Sequence, residues 1–562
     1  MKAKRLLTML AAWLTAGAAA VSLTSCGNVS FETTASSEQT AEVCRIGLYT
    51  PISGDYLFTS AWGDTGADRD LRSLLHGAEN VSIAQENIYA ANPSVISAVS
   101  TTDGTDGSRT YTYTLVSGLC YSDGSSLTAK DYVFSVLLQS SADFGSLSGD
   151  NTAYQALKGY ADFASGESSV FTGVRLLSDN CFSLTIDASS LPYYQEMLLT
   201  QVYPVPSAVI APGAVIADDG EGAYLTGMTE EGLAATLEGE NGYRRKPMVT
   251  AGPYMLQSIE NGVYTLAANP YYTGGYYKRQ PSVKLMTVET VDPSEDADDY
   301  DLIVGITGRD GFGKANKLLS EKKMSTSYSY DSLVVSSLSF SDSVDEGIRL
   351  ALSQLIDGVE ASDLLAGHWG QEPLGNIPLA SSLYQSCYAD LSSLSAKSYD
   401  VSDLLMTAGG GEPITLTYGY DPDDAEASAL VSLLQKADEK EPLLKIETIP
   451  NGEDTDLRYT RTQYGKDWGA WKGLSDTSLS EMADDLSHTA YNVNSSRYND
   501  KLTAFEQAYM ETLPELPLAV YTACDLVGKR LIGYQQVDVY DDWTIWIQYA
   551  RIVNLTREQV NS

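Results

Sequence analysis

Segments with the periodicity of β-strands alternate with segments that have helical periodicity along most of this chain. Residues 109–119 (RTYTYTLVSGL) alternate polar and apolar side chains, which predicts a half-buried strand. Residues 301–306 (DLIVGI) predict an apolar strand, and residues 343–358 have the spacing of an amphipathic helix. Asn261-Gly262 separates two β-rich runs, and this dipeptide is the strongest short-range hairpin signal. The alternation predicts an α/β protein with mixed sheets.

One strand–turn–helix unit has a recognisable signal at each junction. Asp123-Gly124 follows the predicted strand and is a turn signal. Thr128 is a good helix N-cap, and Asp131 three residues later makes a variant of the capping box. Apolar side chains at positions 132, 133, 136 and 137 then predict a helix with one buried face.

Length and charge limit the classes of function. A chain of 562 residues predicts about three domains or subdomains, at roughly 150 residues each. Its formal net charge of −38 repels phosphate backbones, so nucleic-acid binding is not expected. The 37 tyrosines suit either a wet, adaptable binding cleft or a sheet-rich structure, and the sequence leaves both interpretations open.

Cysteine and histidine spacing gives no sign of a metal site. The cysteines after residue 26 are Cys44, Cys120, Cys181, Cys387 and Cys524, and none is paired in a CxxC motif. The three histidines, His76, His368 and His488, lie far apart. We therefore expect no metal, no cofactor, and mostly buried cysteines; a single disulfide is left open.

The amino terminus has the pattern of an export signal that ends in a cysteine. Lys2, Lys4 and Arg5 precede an apolar run over 6–21, which is too short and interrupted for a membrane span of about 20 residues. Leu23-Thr24-Ser25-Cys26 then resembles the lipobox of bacterial lipoproteins, in which the cysteine receives a lipid. The alternative is an ordinary secretory signal that happens to contain a cysteine.

Several segments, taken together and in order, resemble one family. It is the extracellular solute-binding proteins of peptide-type ABC importers, family 5 (peptide/nickel). The matching segments are DLRSLLHG (70–77), LVSGLCYSDGSSLTAKDYVFSV (115–136), AGPYMLQSIENGVYTLAANPYYTGG (251–275), GIRLALSQLID (347–357) and LPELPLAVY (513–521). The matches span most of residues 44–534.

The resemblance implies a fold and its division along the chain. It implies a two-lobed α/β fold of the periplasmic-binding-protein type, with mixed sheets, an extra subdomain in lobe I and a ligand cleft between the lobes. The expected organisation is a signal peptide (1–25), a flexible tether (26–42), lobe I (43–290) with an inserted subdomain (about 75–195), lobe II (291–515) and a return to lobe I (516–562).

The resemblance also implies a function without chemistry. We expect a non-enzymatic monomer that delivers peptides or peptide-like solutes to the permease subunits of an ABC importer. Lipidated Cys26 would hold it on the membrane of a Gram-positive surface or a periplasm. The predicted ligand contacts are Tyr49, Tyr56 and Trp62 after the first strand, Asp467 for a ligand cation, and Trp468 and Trp471 for apolar contact. The chain departs from the family after residues 455–460, where the segment that supplies ligand contacts is short.

Other function classes are less well supported by motifs. GRDGFGKA (308–315) nearly fits a phosphate-binding loop that follows a strand and precedes a helix, but Ala315 replaces the hydroxyl that would hold Mg²⁺. Ser320 and Lys323 fit S-x-x-K without a K-T-G partner. Asp484 and Asp485 indicate a solvated face. A secreted hydrolase, or a surface receptor or adhesin that reuses the binding fold, remains the alternative.

Overall fold

A computed structural model describes residues 43–553 apart from nine gaps. The gaps are 84–88, 194, 275–279, 294–298, 322, 374–397, 465–476, 490–495 and 535–542, where 194 and 322 are single residues within otherwise described stretches. The predicted signal peptide, Cys26 and the tether therefore lie outside the described residues, as do Asp467, Trp468, Trp471 and Cys387.

Strands and helices are interleaved along the described chain. The strands are β1 Cys44–Leu48, β2 Val81–Ile83, β3 Tyr89–Ala91, β4 Ile96–Asp103, β5 Arg109–Leu115, β6 Val170–Phe171, β7 Val174–Ser178, β8 Cys181–Ile186, β9 Val215–Asp218, β10 Ala223–Thr226, β11 Tyr254–Glu260, β12 Val263–Ala268, β13 Leu285–Thr290, β14 Leu302–Ile306, β15 Met324–Phe340, β16 Gly370–Gln371, β17 Ile414–Tyr420, β18 Leu444–Pro450, β19 Leu457–Tyr464, β20 Glu515–Gly528, β21 Leu531–Ile532 and β22 Arg551–Ile552. The helices are α1 Gly66–Leu75, α2 Ala129–Ser140, α3 Ala142–Ser148, α4 Tyr160–Ala164, α5 Ser207–Ile210, α6 Glu230–Leu237, α7 Gly308–Ser320, α8 Glu346–Leu355, α9 Gly358–Ala366, α10 Val401–Ala408, α11 Ala425–Lys440, α12 Thr477–Ser487, α13 Ser496–Thr512 and α14 Trp543–Trp546.

The local signals of the sequence are confirmed. Strands β11 and β12 pair antiparallel around Asn261 and Gly262, whose φ angles of 52° and 81° suit this tight turn. Thr128 precedes α2, and its backbone N–H donates to the Asp131 carboxylate at 2.9 Å. That carboxylate also accepts from the Ser207 hydroxyl at 3.1 Å, so the cap also ties α2 to α5.

A single large mixed sheet joins the two halves of the molecule. Its strand order is β11-β12-β13-β1-β14-β20-β15-β19-β17-β18, with β16 beside β20. Strand β1 is parallel to both β13 and β14, and β17 is parallel to β18 and β19. The two long strands β15 and β20 pair antiparallel from Met324 opposite Gly528 to Ser339 opposite Glu515, and so connect the two ends of the sheet.

Three hydrophobic cores account for most of the buried apolar side chains described. One packs β1, α1 and β11–β14 with residues from 527–534 and 543–552. A second lies around α2 and the β4-β5-β8-β7 sheet, and a third packs α7–α11 on strands between β14 and β20. The first and third cores use opposite faces of β14, because Leu302 and Val304 point into one while Ile303 and Ile306 point into the other. The predicted boundaries of the lobes and subdomain stay a prediction.

The cysteines differ in burial. Cys44 and Cys524 are buried, as expected of small apolar side chains, whereas Cys120 and Cys181 are partly exposed. All four are free thiols.

Candidate functional site

A cavity of about 620 Å³ opens at the carboxyl ends of several strands of the large sheet. The carboxyl ends of β1, β14 and β17 reach it, and α7 and α11 begin beside it. In open α/β sheets, ligands bind outside the carboxyl ends of the strands. The lining residues are Tyr49, Thr307, Gly308, Arg309, Asp310, Gly311, Val334, Asp421, Asp423, Asp424, Ala425, Glu426, Arg461 and Tyr521.

Two helix N-termini meet at this cavity, and carboxylates satisfy their N–H groups. Asp424 is the N-cap of α11, where its side chain accepts from the N–H groups of Glu426 at 2.9 Å and Ala427 at 3.0 Å. At the start of α7, the N–H of Arg309 donates to Glu426 Oε1 at 2.9 Å. Carboxylates are favourable at such positions because unpaired N–H groups and the helix dipole give each terminus a partial positive charge.

Glu426 is the centre of the polar network beneath the cavity. The residue is only 2% exposed, although it carries a carboxylate. Besides Arg309 of α7, its oxygens accept from the hydroxyl of Tyr459 and, at 3.4 Å, from the guanidinium of Arg461, both on β19. The hydroxyl of Tyr521 on β20 lies 3.4 Å from the same Oε2 atom. One buried side chain therefore links two helices to two strands.

Two carboxylates of α11 and its N-cap hold the side chain of Arg461 at the cavity wall. Its Nη2 donates to Asp424 at 2.6 Å and its Nη1 to Glu426, while the guanidinium lies 5.6 Å from the ring centroid of Tyr459. Burial alone would lower the pKa of Arg461, but the two carboxylates raise it, so the group is a permanent cation. Its side chain remains 47% exposed, which leaves part of the guanidinium open to the cavity.

The tyrosines around Glu426 stay protonated donors. Burial raises the pKa of Tyr459 and Tyr521 well above the usual value, and the nearby Glu426 carboxylate adds to the effect on both. Ser336 on β15 completes the network, because its hydroxyl lies 2.7 Å from that of Tyr459 and 3.3 Å from that of Tyr521. The network thus reaches the two strands that connect the ends of the sheet.

Of the predicted ligand residues, the structure brings Tyr49 to the cavity. Tyr49 directly follows β1 and is half-buried, and its burial raises the pKa of the hydroxyl. Tyr56 and Trp62 do not line the cavity. Their role in ligand binding stays a prediction.

The loop that carries Tyr56 and Trp62 is tied to the chain around α6. Arg245 donates to Asp55 at 2.5 Å, and the Arg244 guanidinium lies 5.0 Å from the centroid of the Trp62 ring. The ring of Trp62 meets Phe144 edge-on at 5.3 Å between centroids. The sequence carries no local signal for these contacts, because they join residues more than 80 positions apart.

Glu426, Arg461 and Tyr521 are the site residues that sequence reasoning missed. A weak signal was present, because Asp424 and Glu426 stand where the β-rich run PITLTYGYD (413–421) passes into a segment of helical spacing, and strand ends of this kind form ligand sites. The segment 308–315, which nearly fits a phosphate-binding loop in sequence, forms the first turns of α7. Asp310 and Gly311 of that segment instead line the cavity.

The described residues give no sign of a metal centre or a membrane span. Within the described ranges, no three or more His, Cys, Asp or Glu side chains are grouped as metal ligands would be. No helix in those ranges has the length and apolarity needed to cross a membrane.

Comparison with known proteins gives a family match over about two thirds of the chain. The model described as "Bacterial extracellular solute-binding proteins, family 5 Middle" matches residues 95–468. A dipeptide-binding protein from Lactococcus lactis subsp. cremoris is 31% identical over 139 residues, which make up 24% of this chain and 24% of that relative. The chain thus matches about a quarter of the length of this curated relative.

Solved structures share the fold at low sequence identity. The oligopeptide-binding protein AppA of Bacillus subtilis, in complex with a nonapeptide, has a TM-score of 0.62 at 13% identity, covering 92% of this chain and 100% of that one. DppA from Helicobacter pylori, in complex with the peptide STSA, has the same TM-score and identity over 92% and 99% of the two chains. The two-lobed α/β fold predicted from the sequence is confirmed.

Replacing Glu426 with alanine tests whether its carboxylate holds the cavity wall together. The substitution leaves the Arg309 N–H and the Tyr459 hydroxyl without their acceptor, so we expect the free energy of unfolding to fall by about 2–3 kcal/mol. Glu439→Ala, on an exposed position of the same helix, is the matched control and should stay within about 0.5 kcal/mol of the parent. Urea unfolding measures both, and equal losses in the two variants would contradict the assigned role.

Proposed function

This chain belongs to the bacterial extracellular solute-binding proteins, family 5, and we propose that it binds short peptides or peptide-like solutes and delivers them to an ABC importer. The observation that carries the proposal is the cavity at the strand ends, which is lined by residues on or directly after β1, β14, β20, β15, β19 and β17 of the large sheet. Sites for small ligands typically occupy about 300–1,000 Å³, and the volume of about 620 Å³ falls in that range.

The known ligands of related proteins support a peptide as the solute. AppA of B. subtilis holds a nonapeptide, DppA of H. pylori holds STSA, and the Lactococcus relative is a dipeptide-binding protein. The cavity wall has groups that suit a peptide: the Arg461 cation, carboxylates, and the hydroxyls of Tyr49 and Tyr521. Aromatic side chains with hydroxyls provide apolar contact and hydrogen bonding together.

In this proposal, binding energy drives a movement instead of a reaction. Closure of two lobes around a ligand is a hinge motion that a few element-terminal residues absorb. Strands β15 and β20 are suited to act as the hinge, because they run between the two ends of the sheet and their pairing shifts register between Ser329 and Leu333. The closed form is the one that would dock on the permease subunits.

Lipid attachment at Cys26 is the proposed means of keeping the protein at the membrane. The lipobox-like Leu23-Thr24-Ser25-Cys26 follows a basic and apolar leader, and the mostly small and polar composition of residues 27–42 suits a tether. Each buried lipid CH₂ contributes about 0.8 kcal/mol, so two or three acyl chains hold a soluble domain stably. With a formal charge of −38, the protein itself has little attraction for anionic lipid heads.

Mass spectrometry of the purified protein tests the proposed cargo. A soluble form starting at residue 41 should carry bound solute in native spectra, and denaturation should release a mixture of short peptides. A single defined non-peptide molecule would contradict the peptide assignment. So would an empty protein whose melting temperature does not change with any peptide pool.

Cys26→Ser tests the anchor. The full-length parent should fractionate with membranes and gain the mass of a diacylglyceryl group at Cys26, whereas the variant should lose both properties. Ser25→Ala is the control, because it alters the lipobox but keeps the sulfur, and it should remain lipidated. A Cys26→Ser variant that still fractionates with membranes would show that something other than this lipid holds the protein there.

A further inference from the structure

The described wall of the cavity carries more negative than positive charge. Five of its side chains are carboxylates and two are guanidiniums, namely Asp310, Asp421, Asp423, Asp424 and Glu426 against Arg309 and Arg461. Such a wall holds an excess of three negative charges in a concave space, where low-dielectric surroundings strengthen the field.

Part of this charge is already engaged within the wall. Asp424 and Glu426 accept from the starts of α11 and α7, and both pair with Arg461. The Arg461 cation therefore faces two carboxylates before any solute arrives. A carboxylate brought by a solute would be the third anion around a single guanidinium, so the wall gains little by binding one there.

The remaining carboxylates surround the opening with a single cation among them. Asp310 lies in the first turn of α7, while Asp421 and Asp423 lie in the turn before α11, and all three are exposed. Arg309 is the cation that lines the cavity beside them, and it is exposed. Lys314 lies near Asp310 on α7 but does not line the cavity, and it pairs with Asp292 at 2.8 Å. The Thr307 hydroxyl oxygen is buried in the same cavity wall and lacks a hydrogen-bond partner among the described residues.

We propose that this cavity selects solutes of net positive charge, and specifically peptides that place a lysine or arginine side chain between the start of α7 and the turn before α11. The proposal rests on the proposed function of peptide binding. A peptide without charged side chains has a positive amino terminus and a negative carboxyl terminus, so its net charge is zero. Binding such a peptide leaves the excess negative charge of the wall uncompensated. A peptide with one cationic side chain reduces that excess.

Three tripeptides that differ by one side-chain charge provide the test. Ala-Lys-Ala, Ala-Gln-Ala and Ala-Glu-Ala have the same termini and similar lengths, so differences in their Kd values isolate the central side chain. Because partly exposed ion pairs are individually weak, we expect Ala-Lys-Ala to bind about fivefold more tightly than Ala-Gln-Ala, and Ala-Glu-Ala more weakly still. Titration calorimetry at about 0.05 M and 0.5 M salt should show the preference shrinking as salt screens the charges.

The double variant Asp310→Asn/Asp423→Asn locates the effect at the cavity. Both positions are exposed, so the fold should tolerate the amides, and the Lys-over-Gln preference should fall to about twofold or less. Asp403→Asn is the matched control: Asp403 is likewise exposed in the first turn of its helix, α10, but does not line the cavity. The Asp403→Asn substitution changes the net charge of the protein without changing the cavity wall. The ratio of the Kd values for Ala-Gln-Ala and Ala-Lys-Ala should therefore stay at two thirds of the parent's ratio or more.

The outcomes separate this inference from the proposed function. A Lys preference that the double variant loses and Asp403→Asn keeps supports the inference. Equal binding of all three peptides, a preference for Ala-Glu-Ala, or equal effects of the two variants overturns it while peptide binding stands. If none of these peptides binds, and no peptide mixture shifts the melting temperature, both the inference and the proposed function fail.

Discussion

The rest of the candidate site depends on the hydrogen bonds that the buried carboxylate of Glu426 accepts. A buried charge is costly unless hydrogen bonds and an opposite charge compensate it. Here the compensation comes from the Arg309 backbone, the Tyr459 hydroxyl and the Arg461 guanidinium, which belong to α7 and β19. The same contacts fix the start of α7 and strand β19 at the cavity. The hydrogen bonds that compensate the buried charge therefore also determine the shape of the site.

The network contacts the two strands proposed as the hinge. Tyr459 is bonded to Ser336 on β15, and Tyr521 lies on β20, so the network touches both strands that connect the two ends of the sheet. A solute that contacts Arg461 from the cavity would change the balance of charges on Glu426. Any such change acts directly on the strands about which the lobes would move.

The sequence predicted the elements of the fold well because their signals are local. The Asn261-Gly262 hairpin, the Thr128–Asp131 cap and the alternation of β5 each depend on neighbouring residues, and the structure contains all three. The ordered motifs then led to the correct family. The site was less accessible, because Ser336 and Tyr459 lie 123 positions apart and become neighbours only through the register of β15 and β19.

Glu426 shows the limits of residue type as a guide. Trp62 packs beneath Arg244 and against Phe144, and its contact with a ligand stays a prediction. Glu426 looks like one more surface acid in a chain with 74 acidic residues, yet it is among the most buried. Burial of a charge is decided by which distant partners the fold supplies, and that information is not local.

The most direct test of the account is a crystal structure of the protein with its co-purified solute or with Ala-Lys-Ala. The account predicts a peptide in the cavity at the carboxyl ends of β1, β14 and β17, within hydrogen-bonding distance of Tyr49 or Arg461, with Glu426 still bonded to the Arg309 N–H. A peptide bound elsewhere on the protein, with this cavity empty, would contradict it.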